Sequence, residues 1–430
     1  MLLKGASIVH IDPPRLAKAD LRVEGDTIVA RGPGLRPKRD EPVEDCRGKV
    51  ILPGLVCAHT HMYSALARGM PGPSPAPRTF PEMLARVWWK LDQALDEEAI
   101  YYSAMVGAVE AVRAGTTTII DHHASPNAIP GSLDIIREAF GVVGVRGVLC
   151  YEVTDRGGLR RRDAGLAESD RFLSATRTDP RFRGLVGAHA SFTLRDTSLA
   201  ALGDLVRYHR SGIHIHVAEA KDDVERTGKA HGCGIIDRLE RQGLLNEHAV
   251  LAHGVHLSDR DLARVAAGGA WLVHNPRSNM NNGVGHAPVE RFGGQAALGT
   301  DGWPADMFAE ARFAHFRLRE RLGLRSSFAV ASLLEGGQQL ASGLFGVPFG
   351  SLAPGCAADL VVCDYVAPTP LSAGNLGGHL LSGIQPAMIT GVMAAGRWVC
   401  RNGMPVNIDV EAVYCRARQV AAALWRRMRG

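Results

Sequence analysis

The sequence predicts an α/β fold: a closed (β/α)8 barrel of the TIM type, with a small composite β domain built from both ends of the chain. Three observations predict it. Eight apolar runs of strand length alternate with stretches of helical periodicity between residues 49 and 345. Short strand-like segments with Gly and Pro turns fill residues 1–48 and return after Pro354. At 430 residues the chain exceeds the usual single core, so one large domain with a smaller satellite fits its length.

Taken in order, residues 6–11, 20–23 and 27–30 read as short strands, the last following the Glu24-Gly25-Asp26 turn. From Lys49 the pattern changes. The runs 50–59, 117–121, 145–152, 185–189, 212–217, 249–253, 270–274 and 296–300 are apolar along their length, as strands buried on both faces are. Helical stretches between them give the alternation of a closed parallel barrel. Residues 96–114 place Ala99, Tyr102, Val106, Val109 and Val112 three and four apart, with Gly115 set as a C-cap. Ser258, ahead of Asp259-Arg260-Asp261, offers an N-cap for the helix before the seventh strand. Residues 306–322 and 326–344 give two further helices. Beyond Pro354, residues 358–365 and 387–401 are strand-like, the latter interrupted by Gly391 and Gly396. They join the N-terminal strands in a composite domain of residues 1–48 and 346–430, because chain termini often lie close together. A final helix at 410–428 carries Val413, Val420, Leu424 and Trp425 as a packing stripe. The Pro-rich segment 71–81 reads as a long loop after the first barrel strand.

Composition narrows the function. A net charge of +5 is small for this length and the arginines are scattered, so no nucleic-acid partner is expected. No apolar stretch approaches the roughly 18 residues of a membrane span, and no secretory leader is apparent, so the expected location is cytoplasmic. The eight cysteines form no Cys-x-x-Cys pair, and Cys57, Cys150 and Cys363 sit inside apolar runs. Neither disulfides nor cysteine-bound zinc are expected. The metalloprotease, serine-hydrolase, phosphate-loop and cytidine-deaminase motifs are missing.

What remains is a set of histidines and carboxylates at the ends of apolar runs. Strand side chains return to the same face every second residue, so His59 and His61 can grip one ion together. His216, in Ile-His-Val-Ala-Glu, and Asp301, in Leu-Gly-Thr-Asp-Gly, complete a four-ligand set from three strands whose C-terminal ends share the barrel mouth. Imidazole and carboxylate suit a zinc-like catalytic ion, which keeps a position open for water. Glu219 stands three residues after His216 and would face away on an ideal strand. If the strand ends near Val217, the loop can swing Glu219 over the ion as a proton carrier. His253 orients water or polarises the substrate, with a fifth ligand or structural role as alternatives. For substrate contact the candidates are Arg68, Trp88, His123, His189, His274, Ser278 and Asn279. His274 has the barrel wall as its other place, and of His122 and His123 at most one can face the mouth from a regular strand.

At these residues the chain resembles the amidohydrolase superfamily, in its cytosine and guanine deaminase and chlorohydrolase (TRZ/ATZ-like) branch. The likeness runs from Pro53-Gly54-Leu55 and His59-Thr60-His61 to Gly355-Cys356-Ala357-Ala358-Asp359-Leu360. It is greatest to the SsnA-type aminohydrolases, through Trp88-Trp89-Lys90-Leu91-Asp92, Ile120-Asp121-His122-His123-Ala124-Ser125-Pro126 and Val273-His274-Asn275-Pro276-Arg277-Ser278-Asn279-Met280-Asn281-Asn282. The resemblance implies one divalent ion, zinc with iron or manganese as alternatives, on His59, His61, His216 and Asp301, with Glu219 and His253 catalytic. Two-metal relatives add a carboxylated lysine at the end of strand four. Here Leu185-Val186-Gly187-Ala188-His189 has none, which argues for a single ion.

The expected activity is hydrolytic deamination of an aminated purine-like or pyrimidine-like ring, with water acidified to a pKa of about 7 by the ion. Asp301 accepts the water proton, Glu219 protonates a ring nitrogen, and His253 holds the attacking group or the developing charge. Dechlorination or cyclic-amide opening at the same site is the first alternative, and a catalytically inactive ligand-binding protein the second. The expected partner is a small heterocyclic substrate, the chain acting as a homo-oligomer, a dimer, without membrane attachment.

Overall fold

The computed structural model describes residues 1–325, 329–406 and 408–429. The N-terminal segment forms β1 (Leu2–His10), β2 (Arg15–Glu24), β3 (Thr27–Gly32), β4 (Val43–Asp45) and β5 (Val50–Pro53). Next come β6 (Leu55–Thr60), β7 (Thr116–His123), β8 (Arg146–Tyr151), β9 (Phe182–Gly184), β10 (Val186–Ala190), β11 (Ile213–Val217), β12 (Val250–His253), β13 (Trp271–His274) and β14 (Ala296–Leu298). The C-terminal segment adds β15 (Leu360–Cys363), β16 (Ile389–Ala394), β17 (Arg397–Arg401) and β18 (Met404–Pro405).

The eight parallel barrel strands are β6, β7, β8, β10, β11, β12, β13 and β14. Together with the short β9 they form two hydrogen-bonded arcs, β6-β7-β8-β9 and β10-β11-β12-β13-β14. Two parallel bridges join the arcs, Val153 with Ala188 on one side and Thr60 with Asp301 on the other. Among the described residues the short β9 pairs with β8 alone; it precedes the fourth run, 185–189, and the sequence reading did not foresee it. Of the helices, Glu97–Arg113 starts on an Asp96 cap that accepts from Ala99 N–H, and Asp259–Gly268 starts on the expected Ser258 cap, closed by Asp261. Met307–Leu322 and Ala331–Phe345 follow the last strand; the predicted start of the second, residues 326–328, lies outside the described residues.

The strand expected at residues 50–59 is two strands. β5 turns back between β1 and β15 in the nine-stranded composite sheet, and only β6 enters the barrel. The break falls at Gly54, where a Cβ would lie 2.4 Å from Thr117 Oγ1, so no larger residue fits the crossover without displacing its neighbour. The run 387–401 likewise divides into the hairpin β16 and β17. The terminal helix Val410–Arg427, which the sequence assigned to the composite domain, packs on the barrel helix Glu97–Arg113 instead. Its Val420 and Leu424 are buried, Trp425 Nε1 donates to Leu66 O (2.8 Å) and Arg427 Nε to Ala94 O (2.8 Å). An apolar stripe seeks the nearest apolar face regardless of which segment precedes it. Among the described residues no helix is long and apolar enough to cross a membrane.

Barrel and sheet are tied by a buried ion pair. Arg146, at the start of β8, is 1% exposed and lies 3.1 Å from the Asp359 carboxylate, which also accepts from Ala395 N–H (3.2 Å). The guanidinium further reaches Pro180 O (2.6 Å) and lies over the rings of Phe345 and Phe349. Removing one partner of such a pair leaves a buried charge uncompensated. Arg146→Met is expected to lower stability by about 3–5 kcal/mol, read from urea unfolding followed by circular dichroism. An unmoved midpoint would contradict this.

Candidate active site

The C-terminal ends of β6, β11 and β14 bring together the four residues that spacing singled out. One nitrogen of each of His59, His61 and His216 and one carboxylate oxygen of Asp301 lie within 4.8 Å of one another. His61 Nε2 stands 3.0 Å from Asp301 Oδ1 and 3.0 Å from His216 Nε2, and His59 Nε2 is 3.5 Å from the same oxygen. Asp301 reaches this position because Thr300 and Asp301 N–H both donate to His59 O (2.8 and 3.1 Å). At Gly299 a Cβ would sit 2.7 Å from that carbonyl, so only glycine allows β14 to approach β6 this closely.

Each imidazole is oriented through its other nitrogen. His61 Nδ1 donates to His122 O (2.6 Å), His216 Nδ1 to His189 O (2.7 Å), and His59 Nδ1 meets His214 Nε2 (2.8 Å). That leaves the Nε2 atoms aimed at a common point, and His59 Nε2 is buried without a hydrogen-bond partner. Burial pushes His59 down to about 3 and His216 well below the ordinary imidazole range, so both rings are neutral. Burial also disfavours charge on His61, but the Asp301 carboxylate outweighs it and lifts the ring to about 9. Asp301 is opposed by burial and held well below the usual carboxylate range by His59 and His61, whose Nε2 atoms stand against its Oδ1. Three inward imidazole nitrogens and an ionised carboxylate, one of the nitrogens an orphan, fit a divalent cation.

Glu219 and His253 face each other beside this cluster, with Oε2 and Nε2 3.7 Å apart. Ala218 has φ 49°, a left-handed residue that reverses the chain after β11 and brings Glu219 to the side of His216. His253 (φ 78°) and Asp301 (φ 53°) are left-handed too. Non-glycine residues there cost of order 1–3 kcal/mol each and concentrate at functional sites. Burial raises the Glu219 carboxyl to about 7, and Asn282 Nδ2 lies 3.4 Å from its Oε1. His253 Nδ1 is held by Asn279 Oδ1 (2.8 Å), while Nε2 makes no hydrogen bond within the protein.

A cavity of about 590 Å³ opens above these groups. His61, His216, Glu219 and Asp301 line it, together with Trp88, Trp89, Phe80, His189, Ser278 and Arg68. The substrate candidates divide accordingly. Trp88 and His189 reach the cavity; Ser278 does too, donating to the Asp301 carboxylate. Arg68 lines it, but its guanidinium is paired with Glu110. The structure places the other three candidates away from the cavity lining. His123 is absent from the lining and bonds Ser125 Oγ (2.9 Å), because strand alternation gives the inward direction to His122, whose ring lies 4.7 Å from those of His214 and His216. His274 is 2% exposed inside the wall, edge-on to Phe292. Asn279 acts on His253 rather than lining the cavity.

Several residues escaped the sequence reading. His214 is two before His216, the same alternation that links His59 with His61, so it was legible. Glu152, just past β8, stands 3.4 Å from His122 Nδ1 and accepts from Arg156 (3.0 Å). Asp92, in a cavity wall, also accepts from Arg156 (3.3 Å), whose guanidinium lies 4.6 Å from the Trp89 ring centre. Burial raises Asp92 to about 7. Asp92 ends the stretch Trp88-Trp89-Lys90-Leu91-Asp92 that carried the resemblance, but only the fold brings it beside Arg156.

A sequence model described as the amidohydrolase family matches residues 50–399. The chain belongs to the amidohydrolase family. Members typically bind a divalent metal. Among curated relatives, the 5-methylthioadenosine/S-adenosylhomocysteine deaminase of Pelotomaculum thermopropionicum is 29% identical over 447 residues, covering 99% of both chains. The 5'-deoxyadenosine deaminase of Methanothermobacter thermautotrophicus is 28% identical over 440 residues, covering 99% of this chain and 98% of its own. Among solved structures, an adenosine deaminase from Xanthomonas campestris with bound zinc superposes with a TM-score of 0.87 at 23% identity, covering 100% of this chain and 98% of that one. A mutant of atrazine chlorohydrolase TrzN from Arthrobacter aurescens, complexed with zinc and atraton, gives 0.84 at 20% identity, covering 98% and 99%. The structural likenesses establish a shared fold. For this amidohydrolase, His61→Ala and His216→Ala are each expected to reduce divalent-metal content to background in elemental analysis, with circular dichroism unchanged. Full metal content in either would remove that histidine from the set.

Proposed function

We propose that this amidohydrolase is a zinc-dependent aminohydrolase that releases ammonia from a 6-aminopurine nucleoside or a closely similar aminated ring. The observation that carries the reading is Glu219, a carboxyl raised to about 7, facing His253 beside the cluster of three imidazoles and Asp301. The curated relatives' names support an amino leaving group over chloride or a ring amide. Iron or manganese in place of zinc is separated by the same metal analysis.

His59, His61, His216 and Asp301 would hold the ion. When bound it acts as a Lewis acid that eases loss of a proton from water. The protein residues then move the protons. Neutral Glu219 gives its proton to a ring nitrogen, which makes the amino-bearing carbon electrophilic. Water oxygen bonds to that carbon as Asp301, strongly ionised, takes a proton from it. His253 Nε2, which makes no hydrogen bond within the protein, faces the charge that develops on the oxygen. Asp301 returns its proton to the amino nitrogen, the C–N bond breaks with its electron pair on nitrogen, and ammonia leaves. The remaining hydroxyl proton goes back to Glu219, giving the ring carbonyl and restoring both carboxyls. Trp88 and Trp89 give the ring flat apolar walls.

Two outcomes are expected. Metal-loaded protein should release ammonia from adenosine, 5'-deoxyadenosine or 5'-methylthioadenosine in preference to guanine, aminopyrimidines and a chlorotriazine, in a coupled ammonia assay. Chloride release, or turnover of none of the aminated rings, would overturn the reading. Glu219→Gln should lower kcat about 10²–10⁴-fold with metal content and Tm unchanged. Parental kcat in the metal-loaded variant would exclude Glu219 from proton transfer.

A further inference from the structure

The three imidazoles are not held alike. His61 and His216 donate through Nδ1 to main-chain carbonyls, which only accept. With Nδ1 donating, Nε2 is the nitrogen left to offer a lone pair to a cation. His59 has no carbonyl at Nδ1, only His214 Nε2 at 2.8 Å. An imidazole nitrogen either donates or accepts, so this contact alone leaves the tautomer of His59 open.

The next links close it. His214 Nδ1 lies 3.5 Å from Cys150 Sγ, and Cys150 Sγ lies 3.5 Å from Asp121 O. With the thiol proton directed at that carbonyl, sulfur accepts from His214 Nδ1–H, and His214 Nε2 accepts from His59 Nδ1–H. His59 Nε2 then keeps its lone pair, facing Asp301. The reverse order sends the thiol proton to His214 Nδ1 and puts a proton on His59 Nε2, where it bars a cation. All four residues are fully buried, so no solvent competes along the chain. Cys150 and His214 approach because β8 and β11 turn them inward.

We propose that His214 and Cys150 are positioning residues for the metal: a directed hydrogen-bond chain ending on the Asp121 carbonyl fixes His59 in the tautomer that presents Nε2 to a divalent cation. The proposal rests on the reading of the four-residue cluster as a metal site. Partners of this kind typically change metal affinity 10–100-fold.

The test measures zinc affinity by competition with a chromophoric chelator, with ¹⁵N imidazole spectra of the zinc-loaded protein reporting which nitrogen of His59 carries hydrogen. His214→Phe, which has no acceptor, is expected to weaken zinc binding roughly 10–100-fold, and His214→Gln, whose amide oxygen can accept, to recover most of it. Cys150→Ala should weaken binding and Cys150→Ser, which keeps a donor and an acceptor, should not. Circular dichroism checks folding; if His214→Phe does not fold, the Cys150 pair decides. Zinc binding of parental strength in His214→Phe or, failing that, in Cys150→Ala, or hydrogen on Nε2 of zinc-loaded His59, overturns the proposal alone. A parent chain that takes up no zinc overturns the metal reading beneath it.

Discussion

Closure of the barrel between its last and first strands is the contact on which the rest depends. Thr60 pairs with Asp301, Thr60 Oγ1 and His61 N–H both reach Asp301 O (2.9 and 3.0 Å), and His59 O receives Thr300 and Asp301 N–H. These bonds seal the sheet and, in the same few atoms, seat a carboxylate against two histidines. Architecture and chemistry are therefore one constraint here. A residue that forced β14 away from β6 at Gly299 would open the barrel and remove the fourth donor together.

Low local polarity does the remaining work. Neutral His59 and His216, ionised Asp301 and near-neutral Glu219 sit within one buried region, and burial pushes each of them toward its uncharged form. Only Asp301 resists, because the His59 and His61 rings stand against its carboxylate. Two carboxyls a short distance apart thus receive different tasks, one to accept a proton and one to give it. The left-handed residues Ala218, His253 and Asp301 are where the backbone bears the strain of aiming those groups.

Much of this was written in local order. The apolar runs marked the barrel strands because strands buried on both faces need apolar residues throughout, and the His-x-His spacing marked one face of a strand end. Errors came where a run length hid a chain reversal. Gly54 splits residues 50–59 because the backbone there passes Thr117 too closely for a side chain, a fact about a residue 63 positions away in the chain. The His122 and His123 ambiguity was real in the sequence, since adjacent strand residues face opposite ways and only strand register says which is inward.

The sequence by itself determined the α/β barrel class and the four candidate donors, because strand periodicity and apolar burial are properties of neighbours in the chain. Which groups stand beside those donors was decided by tertiary structure alone. His214 under His59, Asn279 behind His253, and Glu152 and Asp92 joined by Arg156 are meetings between segments far apart in the chain. The terminal helix on the barrel wall is another. Such partners are set by where closed strands converge, and no local pattern encodes that convergence.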